Sequence, residues 1–160
     1  MYFGMENTNT LFLDSISENQ SNGLTLCITS SQSKMMGEDE LESETNPALR
    51  KMLSSCTQII PDYSCLYKIL FENYIMYQVR NESYCSFDPD EQRIGKGLIK
   101  LEKSKLLEYL GKATDVFDDG TYAYPAKYKH YGVYTANHVI DIISHCEPRI
   151  EIITQGTNCQ

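Results

Sequence analysis

Apolar and polar positions alternate along much of this chain, and that period of two predicts strands. Thr10 to Ile16 (Thr-Leu-Phe-Leu-Asp-Ser-Ile) and Leu24 to Thr29 (Leu-Thr-Leu-Cys-Ile-Thr) are short runs of this kind, separated by the turn-rich stretch from Ser17 to Gly23. Asn22-Gly23 tolerates positive φ at both positions, so the two runs predict a hairpin. Leu66–Phe71 and Tyr74–Arg80 predict two central strands paired across a turn at Glu72-Asn73, with Ile75, Tyr77 and Val79 on one face. The second is expected to run on toward Tyr84, until Asp88-Pro89 breaks it. Leu98–Glu102 alternates again, after Gly95 and Gly97. The densest signal is Lys127 to Ser144, two aromatic and β-branched halves folded at Thr135-Ala136-Asn137. Its second half, with Val139, Ile140, Ile142 and Ile143 nearly continuous, predicts a strand covered on both faces. Arg149–Ile153 is the last strand.

Two segments have helical signals. Pro47 fits the first turn of a helix capped by Asn46, with Leu49, Met52 and Leu53 on one face and Pro61 expected to stop any element after the helix. Ser104 caps a second helix that runs to Gly111 and carries Leu106, Leu107 and Leu110. The predicted fold is therefore α+β: one globular domain over residues 1–160, a mainly antiparallel twisted β-sheet with one to three short helices. Residues 30–46 hold Glu38, Asp39, Glu40, Glu42 and Glu44 against one Lys34, and are expected to be a mobile acidic loop. Residues 155–160 are expected to be a flexible tail, and the chain has no internal repeat.

Composition narrows the partners. The chain has 160 residues, enough for one core that buries roughly 70% of the unfolded surface. Its net charge of −8, from 22 acidic and 14 basic side chains, repels nucleic acid and anionic membrane and favours a basic partner. The six cysteines are widely spaced, with no Cys-x-x-Cys pair. The first residues lack the basic region and apolar run of a secretory signal, and no stretch approaches the roughly 18 apolar residues of a membrane span. Together these predict free thiols in a reducing cytoplasm.

Candidate chemistry concentrates in the last third. His130, His138, His145 and Cys146 are four metal donors within a short span, but strand alternation separates them, so neither a metal nor another cofactor is expected. His138 with Asp141, or His130 with Glu82, would make an acid–base pair if the fold joined them, the basis of a hydrolase or nuclease reading around His130, His138 and Asp141. No Gly-x-Ser-x-Gly elbow, P-loop or zinc-deaminase signature accompanies them. The acidic turns beside tyrosines are the better candidates, since tyrosine supplies rigid contact area and carboxylates pair with basic side chains. The expected partner-binding residues are Tyr84, Asp88, Asp90 and Glu91 on one turn, and Asp115, Asp118, Asp119, Tyr122 and Tyr124 on another.

Four stretches also carry a family resemblance: Tyr77-x-Val79-x-Asn81-Glu82-Ser83-Tyr84, Lys103-Ser104-Lys105-Leu106-Leu107, Lys129-His130-Tyr131, and Asn137-His138-Val139-Ile140-Asp141-x-Ile143-Ser144. On these, under half of the chain, it resembles small bacterial immunity proteins of the polymorphic or contact-dependent inhibition toxin systems. The resemblance implies an intracellular, non-enzymatic protein that binds one cognate toxin, of a basic nuclease type, and blocks it. A structural or adaptor subunit is the remaining reading.

Overall fold

Nine strands form two antiparallel sheets packed face to face, in a computed structural model that describes residues 10–37, 41–114 and 128–154. The first sheet has the order β1-β2-β3-β9: Phe12–Glu18, Leu24–Met35, Thr57–Phe71 and Arg149–Thr154. The second has the order β4-β8-β7-β6-β5: Met76–Asn81, His138–Ser144, Lys129–Tyr134, Leu98–Lys103 and Gln92–Lys96. Two short α-helices accompany them, α1 over Pro47–Leu53 and α2 over Lys105–Ala113. The predicted class, a mainly antiparallel α+β single domain, is the one observed.

The register explains the core. Leu24, Leu26 and Ile28 lie opposite Phe71, Ile69 and Tyr67, so all six point from the first sheet to the same side. Leu98, Tyr131, Val133, Ile140 and Ile142 answer from the second sheet, and these side chains form one buried cluster. Phe71 meets Tyr131 across it, with ring centroids 5.4 Å apart. The other face of the second sheet is also covered. Leu101, Val139 and Ile143 are buried there, as is Leu110 of α2, yet none belongs to the inter-sheet cluster. Strand β8 is accordingly buried from Val139 through Ser144, as the apolar run at 139–143 predicts.

The predicted hairpins at 10–29 and 127–144 are both present. In the first, Asn22 takes φ 58°, and Asn19 Oδ1 accepts the N–H groups of Ser21 and Gly23 at 2.8 Å each. Gly95 takes φ 110°, and a Cβ there would sit 2.7 Å from the Leu98 carbonyl oxygen, so this hairpin requires glycine.

Four expectations need correction. Leu66–Phe71 and Tyr74–Arg80 do not pair: β3 is held by β2 and β9, β4 by β8, and the link between them crosses from one sheet to the other. The crossing is fixed by Tyr74 N–H to Asn22 O at 3.1 Å and Ile75 N–H to Ile143 O at 2.8 Å. Ser30–Met35 is not loop but the outer half of β2, paired with Thr57–Asp62. Pro61 does not end an element there, because β3 at that level has β2 as its one neighbour and needs no second row of donors. Finally, Glu82–Tyr84 leaves the strand as a turn of 3-10 helix that Asn81 caps. Residues 155–160, expected to be a tail, lie outside the described residues.

Helix α1 has the predicted Asn46 cap, with Oδ1 3.0 Å from the Ala48 nitrogen, but buries none of its residues. We therefore expect Leu26→Ala to lower unfolding free energy by about 2–5 kcal/mol and Met52→Ala by under about 0.5 kcal/mol, measured by urea titration. Equal losses would contradict this division between core and arm.

Candidate functional site

The outer face of the second sheet holds a buried chain of polar groups. Alternation places His130 on that face of β7, since it lies opposite Leu101 on one side and Ile143 on the other. Asp141 is on the same face of β8, two residues from Ile143, and Gln78 and Arg80 join it from β4. His130 and Asp141 are each 2% exposed, and Ser104, at the junction of β6 and α2, is 3% exposed.

Ser104 Oγ lies 2.7 Å from His130 Nδ1, and His130 Nε2 lies 3.1 Å from Asp141 Oδ1. Asp141 Oδ2 accepts from Gln78 Nε2 at 3.0 Å and from Arg80 Nε and a terminal guanidinium nitrogen at 3.1 and 2.8 Å. Burial pushes the Asp141 carboxyl up, but the hydrogen bonds from His130 and Gln78 and the Arg80 charge outweigh it and hold its pKa below the usual carboxylate value. An ionised carboxylate only accepts, so Nε2 donates to Asp141; in the neutral ring Nδ1 is then the acceptor, and the Ser104 hydroxyl donates to it. Ser104 Oγ in turn accepts the Leu107 N–H at 3.2 Å, as the helix cap that the sequence predicts.

Above this floor lies a cleft of about 420 Å3. Its walls are Tyr109 and Leu106 of α2 on one side and Phe87 to Pro89 on the other, with Arg80 and His130 below. The second wall exists because β4 and β5 are opposite edges of the sheet, so residues 82–91 must cross its width. Arg93 pins the crossover, its guanidinium 4.5 Å from the Phe87 ring centroid, 5.8 Å from that of Tyr134 and 2.9 Å from Glu91. Asp88 bridges to Lys105 of α2 at 2.7 Å, and that bond together with the Asp90 N–H holds its carboxyl below the usual range.

The expected partner-binding residues divide accordingly. Tyr84, Asp88, Asp90 and Glu91 all lie on the crossover, where Tyr84 is 88% exposed while Asp88 and Glu91 are engaged by Lys105 and Arg93. Asp115, Asp118, Asp119, Tyr122 and Tyr124 lie outside the described residues. The expected acid–base pairs change partners. Asp141 joins His130 and not His138, which stands three residues away on the same strand and so on the opposite face. Glu82 is bound at the other end of the sheet, donating its N–H to Asn137. Among the described residues no cluster of three or more His, Cys, Asp or Glu side chains is placed to hold a metal, and no helix is long and apolar enough to cross a membrane.

The His130–Asp141 pair had a usable signal in the sequence. With a turn at Thr135–His138, residues 130 and 143 face each other, and 141 is the diagonal neighbour on the same side. Gln78 and Arg80 had none, because they lie 63 and 61 residues from Asp141 in the chain.

No family model, characterised protein or solved structure matches this chain. Its function is therefore argued from the site.

The polar chain gives a stability prediction. A carboxylate whose folded pKa is depressed contributes fully above its unfolded value, near 3.9, and loses that contribution as pH falls through the lower folded value. Asp141→Asn should lower unfolding free energy by about 2–4 kcal/mol at pH 7, because it leaves buried donors poorly matched. Urea titrations at pH 7 and pH 3 should show the gap between wild type and variant shrinking at the acid end. A gap that grows on acidification would contradict a depressed Asp141 pKa.

Proposed function

We propose that this protein is an inhibitor of the immunity type, which binds a basic toxin domain and neutralises it by occupying its working surface. The observation that carries this reading is a set of exposed aromatic side chains on the crossover and at the cleft. Tyr84 and Phe87 on the crossover and Tyr109 on α2 are 88%, 59% and 57% exposed, next to an acidic turn. Large aromatic side chains cost free energy in water, and exposed tyrosines beside carboxylates match what buried interface anchors require. The net charge of −8 speeds capture of a basic partner by long-range steering. Because Asp88 and Glu91 are already paired, contact energy falls mainly to the aromatics and recognition of sign to Asp90 and the overall field. The acidic stretch that comes after α2 in the chain adds Asp115, Asp118, Asp119, Tyr122 and Tyr124 to the proposed binding residues.

The test is to read the frames that neighbour this chain's gene, co-express the chain with any toxin-like domain they encode, and titrate the two purified proteins. The expected outcome is protection of the cells and a complex whose association slows as salt rises. Tyr84→Ala should weaken the complex about 30-fold or more, the loss of roughly 2 kcal/mol expected of an interface anchor. Absence of both binding and protection would eliminate this reading.

A further inference from the structure

We infer that Ser104, His130 and Asp141 form a serine acyl-transfer site, with Ser104 as nucleophile, His130 as general base and Asp141 as the group that orients the ring. This inference does not depend on the partner proposed above. Three groups in this order are what nucleophilic catalysis by serine needs: a hydroxyl bonded to a ring nitrogen, and a carboxylate fixing the other nitrogen. The distances, 2.7 Å and 3.1 Å, are those of a bonded relay. The two ring nitrogens exchange the roles they have in the serine proteases, Nδ1 facing the serine and Nε2 the carboxylate, and the proton chemistry is unaltered by that exchange.

The surroundings supply the other parts. Asp141 is held charged by Gln78 and Arg80, so it can stabilise an imidazolium without being neutralised by it. Ser104 stands at the start of a nine-residue helix, where the N–H groups of Lys105 and Leu106 have no bonding partner among the described residues. Such first-turn donors are suited to an oxyanion. Ser104 also lines a second cavity, of about 80 Å3, together with Asp88, Asp90, Glu91, Glu108, Lys103 and Lys105. That cavity shares Asp88, Glu91 and Lys105 with the larger cleft that reaches His130, and the Asp88–Lys105 bridge stands at the shared wall. Lys105 is 79% exposed in its side chain, and an ion pair that exposed opens readily.

The reaction is balanced without a further reagent. Ser104 Oγ adds to the carbonyl carbon of an ester or activated amide as its proton moves to His130 Nδ1. The tetrahedral oxyanion collapses, the bond to the leaving group breaks, and Nδ1 returns the proton to that group. Water then repeats the cycle on the Ser104 ester, releasing the acid and restoring the hydroxyl. With Asp88 tied to Lys105 and Glu91 to Arg93, Asp90 and Glu108 against Lys103 leave the Ser104 cavity net negative, which favours a substrate whose acyl part is cationic, of the arginyl or lysyl kind.

The experiment is labelling with a fluorophosphonate, read by intact mass and peptide mapping. One adduct on Ser104 of the wild-type protein is expected, lost in Ser104→Ala and slowed at least 100-fold in His130→Gln. Lys105→Ala should label several-fold faster, because it frees the shared wall. An Nα-acyl-arginine p-nitrophenyl ester should be cleaved at least 10-fold faster than its glutamate analogue. Wild-type protein that stays unlabelled at Ser104 would overturn the inference, and mapping that adduct needs no variant to fold. Labelling at an equal rate in folded His130→Gln would overturn it too, and equal rates for the two esters would overturn the cationic selection. Met52→Ala, on the exposed helix α1 and away from both cavities, should label like wild type.

Discussion

A carboxylate buried in the middle of a strand covered on both faces has to be matched from several directions at once, and Asp141 is such a group. Taking a charge out of water costs several kcal/mol unless hydrogen bonds and opposite charge replace the lost hydration. Four donors on Asp141 make that replacement, from His130 on β7 and from Gln78 and Arg80 on β4. Each lies on a strand that borders β8, so satisfying one side chain fixes the register of both neighbours. A slip of one residue on either strand would turn its donors into the apolar space between the sheets. The bond from His130 to Ser104 extends the same requirement to β6 and the start of α2. The placement of the helix, and with it one wall of the cleft, follows from neutralising one buried charge.

How much of this was legible in the sequence depended on sequence separation. Local signals carried through: the Asn22-Gly23 turn, the Asn46 and Ser104 caps, and the apolar run at 139–143 all do in the structure what their residue types dictate. Pairing between strands distant in the chain did not carry through. Leu66–Phe71 and Tyr74–Arg80 look like a hairpin because so short a link joins them, yet each has a better partner elsewhere. The apolar faces of β3 and β4 both belong in the space between the sheets, and pairing them would have put both in one layer. The site shares this division. Ser104 was visible as a cap and His130–Asp141 was accessible from the turn, whereas Gln78 and Arg80 depended on a long-range register that no local pattern encodes.

Acidity, read from composition, pointed to a basic partner met by surface carboxylates. The described part of the surface is more evenly matched than that. Asp88, Glu91, Glu147 and Glu151 each have a lysine or arginine within hydrogen-bond or ion-pair reach. Two of these bridges hold the crossover in place: Asp88 ties it to α2, and Glu91 orients the arginine that stacks on Phe87. The excess charge therefore acts at long range as a field, while at the cleft the exposed rings of Phe87 and Tyr109 stand among carboxylates that are already paired. This division suits a protein that attracts a partner by charge and holds it by buried area, because steering needs net charge and tight contact needs groups that are easily desolvated.

The crossover from 82 to 91 is where the two proposed activities meet. It presents Tyr84 and Phe87 outward and carries Asp88 and Glu91 to the wall between the cleft and the Ser104 cavity. None of its residues pairs in either sheet, so apart from the Glu82 N–H bond to Asn137 it is held by a few side-chain contacts rather than by a ladder. Segments held in this way open at lower free energy than strands do. A partner docked on Tyr84 and Phe87 would therefore bear directly on the Asp88–Lys105 bridge, and any preference of that partner for the open or the closed bridge would change access to Ser104 by the same factor. By linkage, whatever occupies the Ser104 cavity would change the affinity of the outer face for its partner to an equal extent.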